Sequence, residues 1–162
     1  MTMKQAKFDR RTVLRAIGVA VVVGAAGCLG NGESNDEDMV EDEPDYDGWF
    51  HDVDNYEGTV DLRGEDEVTV RVGTGEQGVQ FDPSAILVNH LTTVVWEWTG
   101  EGGQHNVVHE PETDDEDYEF ESELLGEEGE IYEYTFNHEQ VYRYYCEPHR
   151  DLGMKGAVTV EH

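Results

Sequence analysis

Residues 144–156 read Tyr-Tyr-Cys-Glu-Pro-His-Arg-Asp-Leu-Gly-Met-Lys-Gly, so one short stretch carries a thiol at Cys146, an imidazole at His149 and a thioether at Met154. Pro148 stiffens the turn after the cysteine. Gly153 lets the backbone double back, and the loop can then aim its side chains at one point. Thiolate, imidazole and thioether are soft donors. Two His and one Cys in a trigonal plane, with a weak axial Met, form the donor set of blue-copper electron-transfer sites. The second imidazole must come from elsewhere in the chain. His105, in Gly-Gly-Gln-His-Asn-Val-Val (102–108), stands at the start of an apolar strand behind a glycine pair. A histidine there can meet the end of the strand that carries Cys146. The plainer role for a lone thiol is a small buried hydrophobe, and the loop after Cys146 argues against it.

The other histidines are weaker candidates. His109 lies four residues after His105, which in a strand is about 13 Å, too far for one ion. His51, His90, His138 and His162 fall in polar stretches and are expected to be solvated.

Positioning such a loop requires strands, and the apolar residues alternate as strands do. Val68, Val70 and Val72 share a face, as do Val94, Trp96 and Trp98. Tyr132, Tyr134 and Phe136 form a third set, Tyr142, Tyr144 and Cys146 a fourth, and Val158 and Val160 a fifth. Period-two patterns separated by Gly-rich or acidic turns predict an all-β, antiparallel sandwich or barrel.

The N-terminus has a different composition. A basic stretch containing Arg10 and Arg11 precedes an apolar run from Ala16 to Val23, then Ala25-Ala26-Gly27-Cys28. The run is too short to span a membrane, which takes about 20 residues, and reads as an export signal over residues 1–27. The paired arginines resemble a twin-arginine signal. The four residues ending at Cys28 resemble a lipobox, which implies lipidation of Cys28 and attachment to the membrane surface. Residues 28–45 are acidic and almost free of apolar side chains, and are expected to form a lipidated N-terminus and solvated linker. The single folded domain is then 46–162.

Five of the ten basic residues and one of the 38 acids precede Cys28, so the remainder holds five basic against 37 acidic residues, a net of −32. Nucleic acid is excluded as a partner, because its phosphates would be repelled. Such a surface is similar to that of proteins from salt-loving organisms, where a short Debye length relieves self-repulsion. The run Asp114–Glu119 is read as part of that surface rather than as a docking patch.

The stretch from Tyr144 to Val160, YYCEPHRDLGMKGAVTV, resembles the copper loop of plastocyanin-type cupredoxins, and most closely that of halocyanins. The likeness extends through Tyr46-Asp47-Gly48-Trp49, Asn55-Tyr56-Glu57-Gly58, Phe81-Asp82-Pro83, Val94 to Gly100 and His105-Asn106-Val107-Val108. It implies a Greek-key cupredoxin sandwich that binds one blue copper ion, with His105, Cys146 and His149 as strong ligands and Met154 as the axial one. It further implies that Asn106 hydrogen-bonds across to the Cys146 segment, that His149 is the main electron port, and that Tyr145 is a second route. The chain departs from the pattern at Asn89-His90-Leu91, where a Pro-Gly type of turn is common. The implied function is a monomeric, non-enzymatic electron carrier, mobile or membrane-tethered, between membrane redox proteins at the extracytoplasmic face. A copper-scavenging or copper-delivery protein is the alternative.

Overall fold

A computed structural model describes residues 38–112 and 119–162. The expected signal, the lipidation site at Cys28, the first part of the linker and Asp114–Tyr118 of the acidic run lie outside the described residues. Nine strands are present among the described residues: β1 Val60–Asp61, β2 Glu67–Thr74, β3 Gln80–Asp82, β4 Ala85–Asn89, β5 Thr93–Trp98, β6 Val108–Glu110, β7 Ile131–Thr135, β8 Val141–Tyr145 and β9 Lys155–Glu161. They form two sheets, one ordered β1-β4-β9-β8-β6 and the other β3-β2-β5-β7. From β3 to β8 each successive strand lies in the opposite sheet.

Alternation in the sequence becomes alternation in burial. In β2, Val68, Val70 and Val72 are buried while Glu67, Thr69 and Arg71 are exposed, as a half-buried strand requires. The core between the sheets is aromatic. The Trp96 ring lies 5.4–5.7 Å from Tyr144, Phe120 and Tyr132, with Trp98, Phe81, Phe136 and Met154 in the same cluster. Each such side chain contributes about 1.5–3 kcal/mol through burial.

Strand direction departs from the antiparallel expectation. Pairs β1–β4, β2–β5 and β4–β9 are parallel. Period-two patterning reports which face a residue takes and not which way the strand runs. Crossing between sheets brings strands distant in sequence together in the same direction.

Strand β4 is a continuous apolar run, Ala-Ile-Leu-Val, buried throughout. Its second face is covered by residues 46–56, where Tyr46, Phe50 and Val53 pack on Ala85 and Ala157. Tyr46 Oη shares hydrogen bonds with Thr59 Oγ1 at 2.8 Å and Thr159 Oγ1 at 3.1 Å. Residues 38–43, ahead of Tyr46, also bond to the body. The Val40 amide donates to Thr59 O (2.9 Å), the Asp61 amide to Asp38 O (2.7 Å), and Thr59 Oγ1 to the Glu43 carboxylate (2.5 Å). Backbone pairing and a carboxylate supplied with donors hold this acidic stretch against the body.

The turn at Asn89-His90-Leu91 forms without glycine. Leu91 takes φ 71°, and amides 90, 91 and 92 donate to Glu161 O, Phe136 O and Asn89 O.

Candidate metal centre

Strand β8 ends at Tyr145, and Cys146 follows on the inward face, fully buried. The chain then enters a 3-10 turn over Glu147–Leu152, with proline in its first turn and Gly153 at φ 80° closing it. Four backbone bonds fold this loop on itself. The His149 amide donates to Cys146 O (3.2 Å), the Met154 amide to His149 O (3.2 Å), the Cys146 amide to Met154 O (3.0 Å) and the Gly153 amide to Arg150 O (3.0 Å). Cys146, His149 and Met154 are therefore mutually bonded through their main chains.

His105 reaches the same place from the segment that leads into β6, which pairs antiparallel with β8 through Val108 and Tyr145. Its amide and carbonyl pair with Leu125 at 2.8 and 2.9 Å, and Trp98 Nε1 donates to its carbonyl at 3.2 Å. The ring is 1% exposed. Nε2 lies 2.8 Å from Glu101 O. A carbonyl only accepts, so Nε2 carries the proton and Nδ1 keeps its lone pair. That lone pair faces His149 Nδ1 at 3.1 Å and Cys146 Sγ at 3.7 Å, and His149 Nδ1 lies 3.5 Å from Sγ.

The triangle suits a metal ion. Bonds of about 2.0–2.1 Å to nitrogen and about 2.3 Å to sulfur, spread in a plane, place the nitrogens about 3.5 Å apart and each about 3.8 Å from sulfur. The distances found agree within about half an ångström. Burial pushes the Cys146 thiol pKa up, opposed by the backbone amides of Asn106 and His149 that donate toward the sulfur. Burial, aided by His149, pushes the His105 imidazole pKa down. Both groups thus favour their uncharged forms without an ion, and metal binding must displace the thiol proton.

Asn106, 2% exposed, ties the two halves together. Its Nδ2 donates to Glu147 Oε2 at 2.7 Å and its Oδ1 accepts from the Glu147 amide at 2.9 Å. The sulfur of Met154 lies in the core, fully buried.

The sequence model of copper binding proteins, plastocyanin/azurin family, matches residues 68–161. This chain belongs to that family. Its relatives include a halocyanin of Natronomonas pharaonis, 48% identical over 160 residues that cover 94% of this chain and 96% of the relative. A plastocyanin of Scenedesmus fuscus is 32% identical over 99 residues, covering 59% of this chain and all of the relative. The oxidised plastocyanin of Dryopteris crassirhizoma, a solved structure, aligns at TM-score 0.46 and 26% identity over 58% of this chain and 100% of its own.

Within this plastocyanin/azurin-type protein, the histidines expected to be solvated are exposed, and His109 joins none of the donor atoms above. It lies in β6 with its ring stacked on Phe120 at 5.0 Å, and burial lowers its pKa. The Arg150 guanidinium, 4.1 Å from the Tyr145 ring centroid, is bonded to Glu110 at 2.8 Å. Sequence reasoning missed Gly73, Glu101 and Trp98, which hold His105. Gly73 has φ 88°, and a Cβ there would lie 2.7 Å from Glu101 O and 3.2 Å from His105 Nε2. Its signal was available: a glycine inside the alternating run Val-Thr-Val-Arg-Val-Gly-Thr marks a bulge or a close approach, and the β2–β3 register shifts there.

Proposed function

We propose that the protein is a blue-copper electron carrier in which His105 Nδ1, Cys146 Sγ and His149 Nδ1 are the strong ligands and Met154 is the axial one. The observation that carries this reading is the gathering of those three donor atoms within 4.8 Å of one another. Bound copper supplies a one-electron couple, Cu(I)/Cu(II). The protein's part is to keep the donors fixed. Glu101 O holds the His105 ring and Trp98 its carbonyl, the amides of Asn106 and His149 reach the Cys146 sulfur, and the loop bonds of Met154 close the set. Donors fixed by such contacts need little rearrangement between oxidation states, and hydrogen bonds to sulfur tune the potential. His149, less buried than His105, is the electron port, with Tyr145 as a second route.

The remaining parts rest on sequence. Arg10 and Arg11 with the apolar run direct export over residues 1–27, Cys28 carries the lipid, and residues beyond it tether the domain to the outer membrane face. Membrane redox proteins are the donor and acceptor, and the chain works as a monomeric carrier, not an enzyme. The copper-loaded protein is expected to be intensely blue when oxidised and to bleach with dithionite, and Cys146→Ser to abolish the colour. A blue band that survives Cys146→Ser overturns the ligand assignment. Reversible voltammetry with slow copper loss to a chelator separates carriage from copper delivery, for which rapid exchange is expected.

A further inference from the structure

Met154 is flanked by three residues that a distant segment grips from the outer face of the sheet. On one side, Gly153 packs so closely under the Asp52 carbonyl that a Cβ there would collide with it. On the other, Lys155 Nζ bonds both carboxylate oxygens of Asp52, at 2.6 and 2.8 Å, and lies 5.1 Å from the Trp49 ring centroid. Next in line, Trp49 Nε1 donates to Gly156 O at 3.0 Å. The Lys155 side chain is only 10% exposed. Solubility does not explain a nearly buried cation, and withdrawing it from water is unfavourable without a close partner. Its effect is geometric. It fixes the main chain at the residue after Met154 while Met154 itself enters the core.

We propose that Trp49 and Asp52 are positioning residues for Met154, a strap that holds Gly153, Lys155 and Gly156 and thereby sets how firmly the thioether can approach the metal. This rests on Met154 being the axial ligand of a copper site. A loosened strap lets the thioether retreat. The weak axial donor then favours Cu(II) less, the potential rises, and copper leaves faster. Contacts that orient ligands in this way change metal affinity about 10- to 100-fold when removed.

The test uses the full copper-loaded protein in concentrated salt. Asp52→Asn alone leaves Lys155 unpaired and can fail to fold. The double variant Asp52→Asn/Lys155→Met removes both charges together, and Trp49→Phe removes the bond to Gly156 while keeping an aromatic ring beside Lys155. Glu43→Gln, at the other end of the 43–56 stretch and away from the loop, is the control. The double variant is expected to stay blue, with an altered ratio of sulfur-to-copper bands, a raised potential and copper release to a chelator about tenfold faster. Trp49→Phe is expected to move the same readouts less, and Glu43→Gln to lower Tm alone. A blue wild type whose double variant keeps the wild-type spectrum, potential and release rate overturns the strap. So does an equal shift in Glu43→Gln, which would mark general loosening. A colourless wild type overturns the copper reading itself, and this inference with it.

Discussion

Gly73→Ala tests whether His105 is held by the geometry of its surroundings. At φ 88° an alanine pays a left-handed penalty of about 1–2 kcal/mol. Its Cβ would also lie 2.7 Å from Glu101 O and 2.9 Å from Thr99 Oγ1. The first is a backbone carbonyl that cannot rotate away, and Thr99 is itself bonded to Gly73 O at 2.6 Å. Overpacking of this kind costs about 1–3 kcal/mol, while restricting the unfolded chain returns about 0.4–1 kcal/mol. The net is about 3 kcal/mol. With an unfolding entropy of about 2.1 cal/mol/K per residue over roughly 120 residues, Tm falls by about 12 °C. Displacing Glu101 O also frees the His105 ring, so copper affinity drops about 10- to 100-fold. Gly103→Ala is the comparator, because Gly103 has φ 93° but nothing near its would-be Cβ. It carries the backbone penalty without the collision. Thermal unfolding of the metal-free protein and copper titration, both in concentrated salt, read the two effects. Equal losses of stability and affinity in the two variants refute the reasoning.

Asn106→Ala removes one neutral bond and one to a carboxylate, worth together about 2–4 kcal/mol, and is expected to weaken copper retention as well as lower Tm; a chelator-release rate equal to wild type contradicts this. Leu91→Gly relieves a left-handed penalty of about 1–2 kcal/mol against a glycine entropy cost of about 0.5–1 kcal/mol. It should raise the denaturant midpoint, and a lowered one rejects the account of that turn. The Asp52 pKa is held below its ordinary 3.8, first by the hydrogen bond from Lys155. The folded state then binds fewer protons than the unfolded one. This stability is present above the unfolded value and lost as pH falls through the depressed one. The double variant Asp52→Asn/Lys155→Met should therefore flatten the Tm profile as pH falls below the ordinary 3.8, and an unchanged acid limb counts against the pair.

What the sequence revealed and concealed follows from what periodicity encodes. Strands with one buried face, such as β2 and β5, announce themselves because apolar and polar residues alternate. Strand β4 does not, since residues 46–56 cover its outer face and all four of its apolar residues are buried. Strand direction is likewise silent in a period of two. At the centre, the residues gathered as candidate donors, His105, Cys146 and His149, could be singled out because thiol, imidazole and thioether crowd one loop, whereas their supports could not. Trp98 counts as core by its pattern, and its bond to His105 O depends on register. Glu101 acts through its carbonyl, which no side-chain motif can display. The link from Asp52 to Lys155 spans 103 residues and could be seen only after folding.

The few cations show where the fold cannot leave repulsion to the solvent. Of the five that follow Cys28, Arg143, Arg150 and Lys155 lie 5.5, 5.9 and 5.1 Å from the Trp49 ring centroid. Each also has a carboxylate partner, Glu112 at 3.2 Å, Glu110 at 2.8 Å and Asp52 at 2.6 Å. Cation–π contacts add about 0.5–1 kcal/mol each where exposed and about 2 where desolvated. This concentration sits over β8 and β9, the strands that lead into Cys146 and out of Met154. Elsewhere acids outnumber bases, Arg63 pairing with Asp61 and Glu161, and dissolved salt screens the remaining acids. A metal loop braced by short-range pairs and ring contacts, several of them partly buried, is less sensitive to ionic strength than the surface around it. The donor geometry can then persist while the acidic exterior responds to salt.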